Sequence, residues 1–159
     1  MALDELRIVQ QKQDALEAAR ARRAECAEAM TAVERAAAAP SPGRERAWRS
    51  AVRTALIGLK EAFIEHVAVA EAPGGLFEEV TRDAPRLIQR THVLADEHAT
   101  LARDIDGAIA ALDLEGFGPP IPEVREDILA LLTRLSRHRQ AGSDLVYESL
   151  EVDIGGGDD

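Results

Sequence analysis

PRLIQRTHVLADEHATLARDIDGAIAAL, residues 85–112, is the stretch whose reading decides the fold. Within it Leu87, Thr91, Leu94, His98, Leu101, Ile105, Ala108 and Leu112 recur at alternating steps of four and three. Such alternation tracks the helical repeat of about 3.6 residues, so these side chains share one face of a single long helix. The face is apolar except at Thr91 and His98. The same spacing lies upstream in Trp48, Val52, Ala55, Leu59, Phe63, His66 and Ala70, and downstream in Val124, Ile128, Leu131, Leu135, His138, Gly142 and Leu145. Each of the three stripes carries one histidine.

Breakers divide the chain around these stripes. Pro40-Ser41-Pro42-Gly43 and Gly116-Phe117-Gly118-Pro119-Pro120 read as turns, and a softer break lies in Pro73-Gly74-Gly75 with Thr81-Arg82-Asp83-Ala84-Pro85 after it. The pattern predicts a first helix over Leu3 to Ala38, a second over Glu45 to Ala72 that can resume as far as Thr81, a third over Pro85 to Leu112 and a fourth over Pro122 to Leu150. Four helices of similar length on short connections predict an all-α, up-down-up-down four-helix bundle over residues 1–152. The first helix has no unique inward face, because Leu6, Val9, Leu16, Cys26, Met30 and Val33 fit more than one register. Residues 153–159, with three glycines and three aspartates, predict a flexible acidic tail.

The 159 residues suit one domain. Hydrophobic residues make up 46% of the chain but aromatics only 3%, so the core is expected to be Ala, Leu, Val and Ile packed between close helices. The net charge of −10, from 29 acidic and 19 basic residues, argues against nucleic acid and against anionic membrane surfaces as partners. Arg20, Arg22 and Arg23 form a local basic run with no aromatic between them, which reads as a solvated helix face. The N-terminus MALDELRIVQ has no export-signal pattern, no segment has the apolar length of a membrane span, and Cys26 is the lone cysteine, so a cytoplasmic location is expected.

The histidines can be placed in depth by counting from the turns. His98 precedes the third turn by about 15 residues and His138 follows it by about 17, a mismatch of roughly 3 Å at about 1.5 Å rise per residue. With a tip at Asp83 and Ala84, His66 and His98 also match to about one helical turn. Three imidazoles are thus expected in one layer of the bundle interior, an arrangement that bundle proteins use to hold metal ions.

Ile64-Glu65-His66, the segment Leu94-Ala95-Asp96-Glu97-His98-Ala99-Thr100-Leu101 with its Glu-His pair, and His138 ahead of Leu145-Val146-Tyr147 resemble the hemerythrin and hemerythrin-like (HHE cation-binding) family over about Glu45 to Leu150. The resemblance implies a four-helix bundle holding non-haem iron, used to sense, carry or handle a small oxidant such as oxygen, nitric oxide or peroxide. It also implies carboxylate ligands four or five residues after the histidines of the second and fourth helices, and a further histidine on the first.

The chain departs from that pattern. The positions four residues after His66 and His138 are Ala70 and Gly142, and the first helix has no histidine. Glu71 and Asp144 come one and two residues later, rotated by about 140° and 120° from the histidine directions. Glu71 reaches inward only if Pro73-Gly74-Gly75 unwinds the helix end. Mirroring His66 through the first turn lands near Glu17. The expected metal set is therefore His66, His98 and His138, completed by Glu71 or Glu17, and holding one iron rather than two. The alternative is a bundle whose metal site has decayed, with the histidines bonded to one another, to Thr91 or to Tyr147. Such a bundle would serve as a protein-interaction or dimerisation module through its Ala-rich first helix or its tail. No catalytic residue is expected: Ser136 and Ser143 do not share the His138 direction. His92 reads as a surface residue, and Cys26 as a small core residue whose thiol is held protonated by Glu25 and Glu28.

Overall fold

Uninterrupted Ala- and Leu-rich stretches have no reason to leave the helical state until a proline or glycine intervenes, and the computed structural model, which describes residues 2–113 and 118–151, follows that rule. Its elements are α1 (Ala2–Ala38), α2 (Glu45–Glu71), α3 (Leu76–Asp83), a single 3₁₀ turn (Pro85–Leu87), α4 (Ile88–Asp113) and α5 (Ile121–Glu151). Four helices are long and α3 is short. The expected resumption after Ala72 is a separate helix, and the third helix opens with a 3₁₀ turn at Pro85. The expected acidic tail lies outside the described residues. No helix among them is long and apolar enough to cross a membrane.

The break between α2 and α3 has a steric cause. Gly74 adopts φ 72°, a left-handed conformation that favours glycine. Gly75 packs so closely on the end of α2 that a β-carbon there would lie 2.5 Å from the carbonyl oxygen of Val69 and 2.7 Å from that of Ala72. Glu71 is therefore the last residue of α2, directly before the chain turns away.

Long helices pack in a ring, α1 on α2, α2 on α4, α4 on α5 and α5 on α1. Rising residue numbers on α2 meet falling numbers on α4, as Arg53 pairs with Asp113, Lys60 with Asp106 and Glu71 with His98. Arg134 to Asp104 and Arg90 to Glu148 repeat this between α5 and α4. At the far end Ala37, in the last turn of α1, has a carbonyl that accepts from Trp48 Nε1 at 3.3 Å and Arg125 Nε at 2.9 Å, which satisfies an otherwise orphaned acceptor.

Burial follows the three sequence stripes. Leu87, Thr91, Leu94, His98, Leu101, Ile105 and Leu112 are all buried on the third helix, and the other two stripes are buried except at half-buried Ala55, His66 and Gly142. For α1 the inward register is Ala19, Cys26, Met30, Val33 and Ala37. Leu6 and Val9 belong to no core: they are 65% and 54% exposed, and the inward register begins only beyond Lys12, which pairs with Asp83 at the end of α3. The apolar interior falls into two clusters. One contains Phe63, Leu101 and Leu135, and the other contains Leu94, Leu145 and Leu76. His98 and His138 fall in sequence between these clusters on α4 and α5, so the histidine layer divides the core.

Candidate metal centre

Each of the three histidines occupies a core position on its helix, and rigid helices fix the direction of each ring. Ring centroids are 5.2 Å apart for His66 and His98, 5.6 Å for His66 and His138, and 4.8 Å for His98 and His138. One nitrogen from each can be chosen so that all three lie within 4.8 Å of one another. The depth matching read from the sequence therefore holds. Nitrogens on a tetrahedral ion at about 2.0–2.1 Å stand about 3.3 Å apart, so an ion would draw the widest pair inward by up to about 1.5 Å.

The surroundings are apolar on two sides. Phe63, one turn before His66 on α2, lies 5.7, 5.9 and 6.3 Å from the rings of His66, His98 and His138. Phe77 from α3 stacks on His98 at 5.6 Å with an interplanar angle of 11°. The short helix beyond the glycine break thus covers His98.

Two carboxylates orient two of the rings. His98 Nδ1 lies 2.8 Å from Glu71 Oε1, and His138 Nδ1 lies 2.7 Å from Glu97 Oε2. With an ionised carboxylate as partner, each Nδ1 carries the proton and donates it, which leaves the Nε2 lone pair free. His98 Nε2 is buried and has no hydrogen-bond partner. An uncompensated buried acceptor of this kind is costly unless something electrophilic occupies the space before it.

Charge on His66 and His98 is suppressed. Burial, then the neighbouring His98 and His138, then Arg23 and Arg139 push His66 down to about 3. Burial and His138 take His98 down to about 4, against an upward pull from Glu97. Both are neutral imidazoles at neutral pH, the form that binds metal.

The remaining candidates separate clearly. Glu71 is brought to the site, but as the partner of His98 Nδ1. Glu17 is exposed on α1 and stands outside the cluster of converging groups. Asp144 is exposed and accepts from Gln140 on its own helix at 2.8 Å. Thr91 donates to the Ile88 carbonyl and Tyr147 is 65% exposed, so neither is the partner that a metal-free trio was expected to use. His92 is exposed and Cys26 buried, as expected. The thiol is raised to about 11, chiefly by burial, with Glu25 contributing against Arg139 and Arg22.

Glu97 is the residue that sequence reasoning passed over. It was visible only as half of a Glu-His pair, because a residue one step before His98 points about 100° away from it, towards a neighbour that the sequence alone does not identify. No family model, curated protein or solved structure matches the chain.

Proposed function

We propose that this protein is a hemerythrin-like, up-down-up-down bundle that holds a single divalent transition metal, iron(II) in the first place, on His66, His98 and His138, and uses it to sense or handle a small oxidant. The observation that carries this reading is the pair of carboxylate–imidazole contacts together with the unsatisfied Nε2 of His98. Metal-binding histidines characteristically donate their second ring nitrogen to a carboxylate, which fixes the tautomer and raises ligand basicity. Here Glu71 and Glu97 supply that support from outside the trio. Three neutral nitrogen ligands suit iron(II) or zinc and leave coordination positions for an external ligand. Ala70 and Gly142 stand where further carboxylates would be needed for a second ion, so one metal is the stoichiometry that the residues favour.

The test is metal analysis of protein purified from iron-supplied cells and after anaerobic reconstitution. Roughly one equivalent per chain in the native protein, falling below about a tenth in His98→Ala, is the expected result; less than a tenth in the native protein under both conditions overturns it.

A second reading is favoured by one observation, the exposure of Leu3, Leu6, Ile8 and Val9 on the overhanging start of α1, at 82%, 65%, 50% and 54%. A helix end this short gains little stability in isolation, and apolar groups on it suit a docking role. In that reading the bundle is a dimerisation or interaction module. Light scattering on the same preparation separates the two, since a metal-bearing monomer supports the first and a metal-free dimer the second.

A further inference from the structure

Two surfaces of the chain have the character of two halves of one contact. The first is the start of α1. At about 100° per residue, Leu3 and Val9 lie about 60° to either side of Leu6, so these three exposed side chains form one apolar strip. Leu6 stands about 140° round the helix from Ala19, the first buried residue of α1, which turns the strip away from the core. The flanks of the strip differ in sign, with Glu5 about 100° to one side of Leu6 and Arg7 about 100° to the other. Arg7 meets Asp4 at 3.5 Å in an exposed pair of little strength, and among the described residues Glu5 makes no ion pair.

The second surface is an open groove of about 530 Å³ between α4 and α5. Val93, Leu101 and Ala141 give it an apolar lining, and Val93 is left 57% exposed. Its two sides are oppositely charged: α4 contributes Asp96 and Glu97, and α5 contributes Arg134 and Arg137. Arg134 is engaged by Asp104, whereas no ion pair or hydrogen bond among the described residues involves Arg137. A groove with one acidic and one basic side selects a helix whose apolar strip carries one charge of each sign on its flanks. The start of α1 is such a helix. With its strip against Val93 and Ala141 and its direction set by charge, Glu5 faces Arg137 and Arg7 faces Asp96.

We propose that the strip of Leu3, Leu6 and Val9 docks in the α4–α5 groove of a second copy of this chain, in a reciprocal dimer that makes the contact twice. Within one chain α1 packs on α2 and α5 with the strip turned outwards, so the groove that it fits is that of another copy. One such contact is small beside the roughly 800 Å² per partner of a standard interface, and a two-fold dimer doubles it. The inference rests on the docking role read above for the start of α1, names its partner, and requires no metal. Glu97 lines the same groove, so docking covers the carboxylate that holds His138 Nδ1.

Light scattering on the full chain, over a dilution series from about 0.1 mM, is expected to show a dimer that dissociates on dilution. Leu6→Glu and Val93→Glu are each expected to raise the dissociation constant by about thirtyfold or more, since each puts a charge into both copies of an apolar contact. Glu5→Arg and Arg137→Glu are each expected to raise it by about tenfold, and the double variant carrying both reversals to return to within about threefold of the native value. All four positions are exposed, and circular dichroism confirms that each variant is folded. A dimer that Leu6→Glu breaks but Val93→Glu does not, or charge reversals that fail to compensate, overturns the groove pairing and leaves the docking role of α1 standing. A native chain that is monomeric at about 0.1 mM overturns the pairing and the dimerisation reading together.

Discussion

Two carboxylates that touch no other part of the centre set the chemistry of the trio at the scale of single residues. Glu97 and Glu71 are 44% and 41% exposed, so their Coulombic effect on the rings is screened by solvent. Their role is directional: each selects the tautomer that turns Nε2 inward. Replacing Glu97 by Gln keeps the size but allows the amide N–H₂ to face Nδ1, which favours the opposite tautomer and puts a proton on the nitrogen that must bind metal. Metal affinity in Glu97→Gln is expected to fall by about 10–100-fold with little change in melting temperature, and Glu71→Gln to behave likewise through His98. Competition with a chromophoric chelator measures both. A loss of folding stability without a loss of affinity would make these contacts merely structural.

The element that positions one of these carboxylates is the junction of α2 and α3. Glu71 is the last residue of α2 and lies about 140° round the helix from His66, so its carboxylate meets His98 Nδ1 on α4. Beyond it the chain turns, and Gly75 seats itself among the carbonyls of Val69, Ala70 and Ala72. Gly75→Ala is expected to cost about 1–3 kcal/mol from overpacking, since the atoms met are backbone and cannot swing aside. It should also loosen the Glu71 contact and the Phe77 stacking on His98, and so reduce metal affinity as well as the denaturation midpoint. Urea denaturation and chelator competition on one preparation read the two effects together. The junction also marks how far the sequence was legible. Three stripes with one histidine each were readable because steps of four and three are local and repeated, and the structure buries them nearly residue for residue. The inward face of α1 was not, since alanine fits either side of a helix and Leu3, Leu6 and Val9 imitate a core stripe in a segment that has little to pack against. Glu97 was illegible for a related reason: it is rotated off its stripe, and its partner, His138, is set by the angle between two helices, which no single segment encodes.

Whole-molecule stability is linked to the same layer. The two apolar clusters meet across three imidazoles, and the fold is favoured when His66 and His98 are uncharged. Their folded values of about 3 and 4 lie below the unfolded value of about 6.5, so as the pH falls the unfolded chain takes up protons first. The stabilising difference is present above about pH 6.5 and is progressively lost on acidification towards the folded values. Above about pH 5 most carboxylates stay ionised, so the window from about 6.5 to 5 bears on His66 and His98. The melting temperature of metal-free protein is expected to be flat from about pH 8 to 7 and to decline through that window, with a slope that approaches two protons per chain. His66→Phe should remove about one of them, because the aromatic replacement fills the ring's space without a titrating nitrogen. A bound ion raises the whole curve, as it binds only the folded chain and demands deprotonated ligands. Scanning calorimetry across that range, with and without one equivalent of iron(II), gives the proton uptake and the metal linkage from the same traces; a pH-independent melting temperature between 6.5 and 5 would mean that the rings are solvated, and the layer would then lose both its role in the core and its claim on a metal.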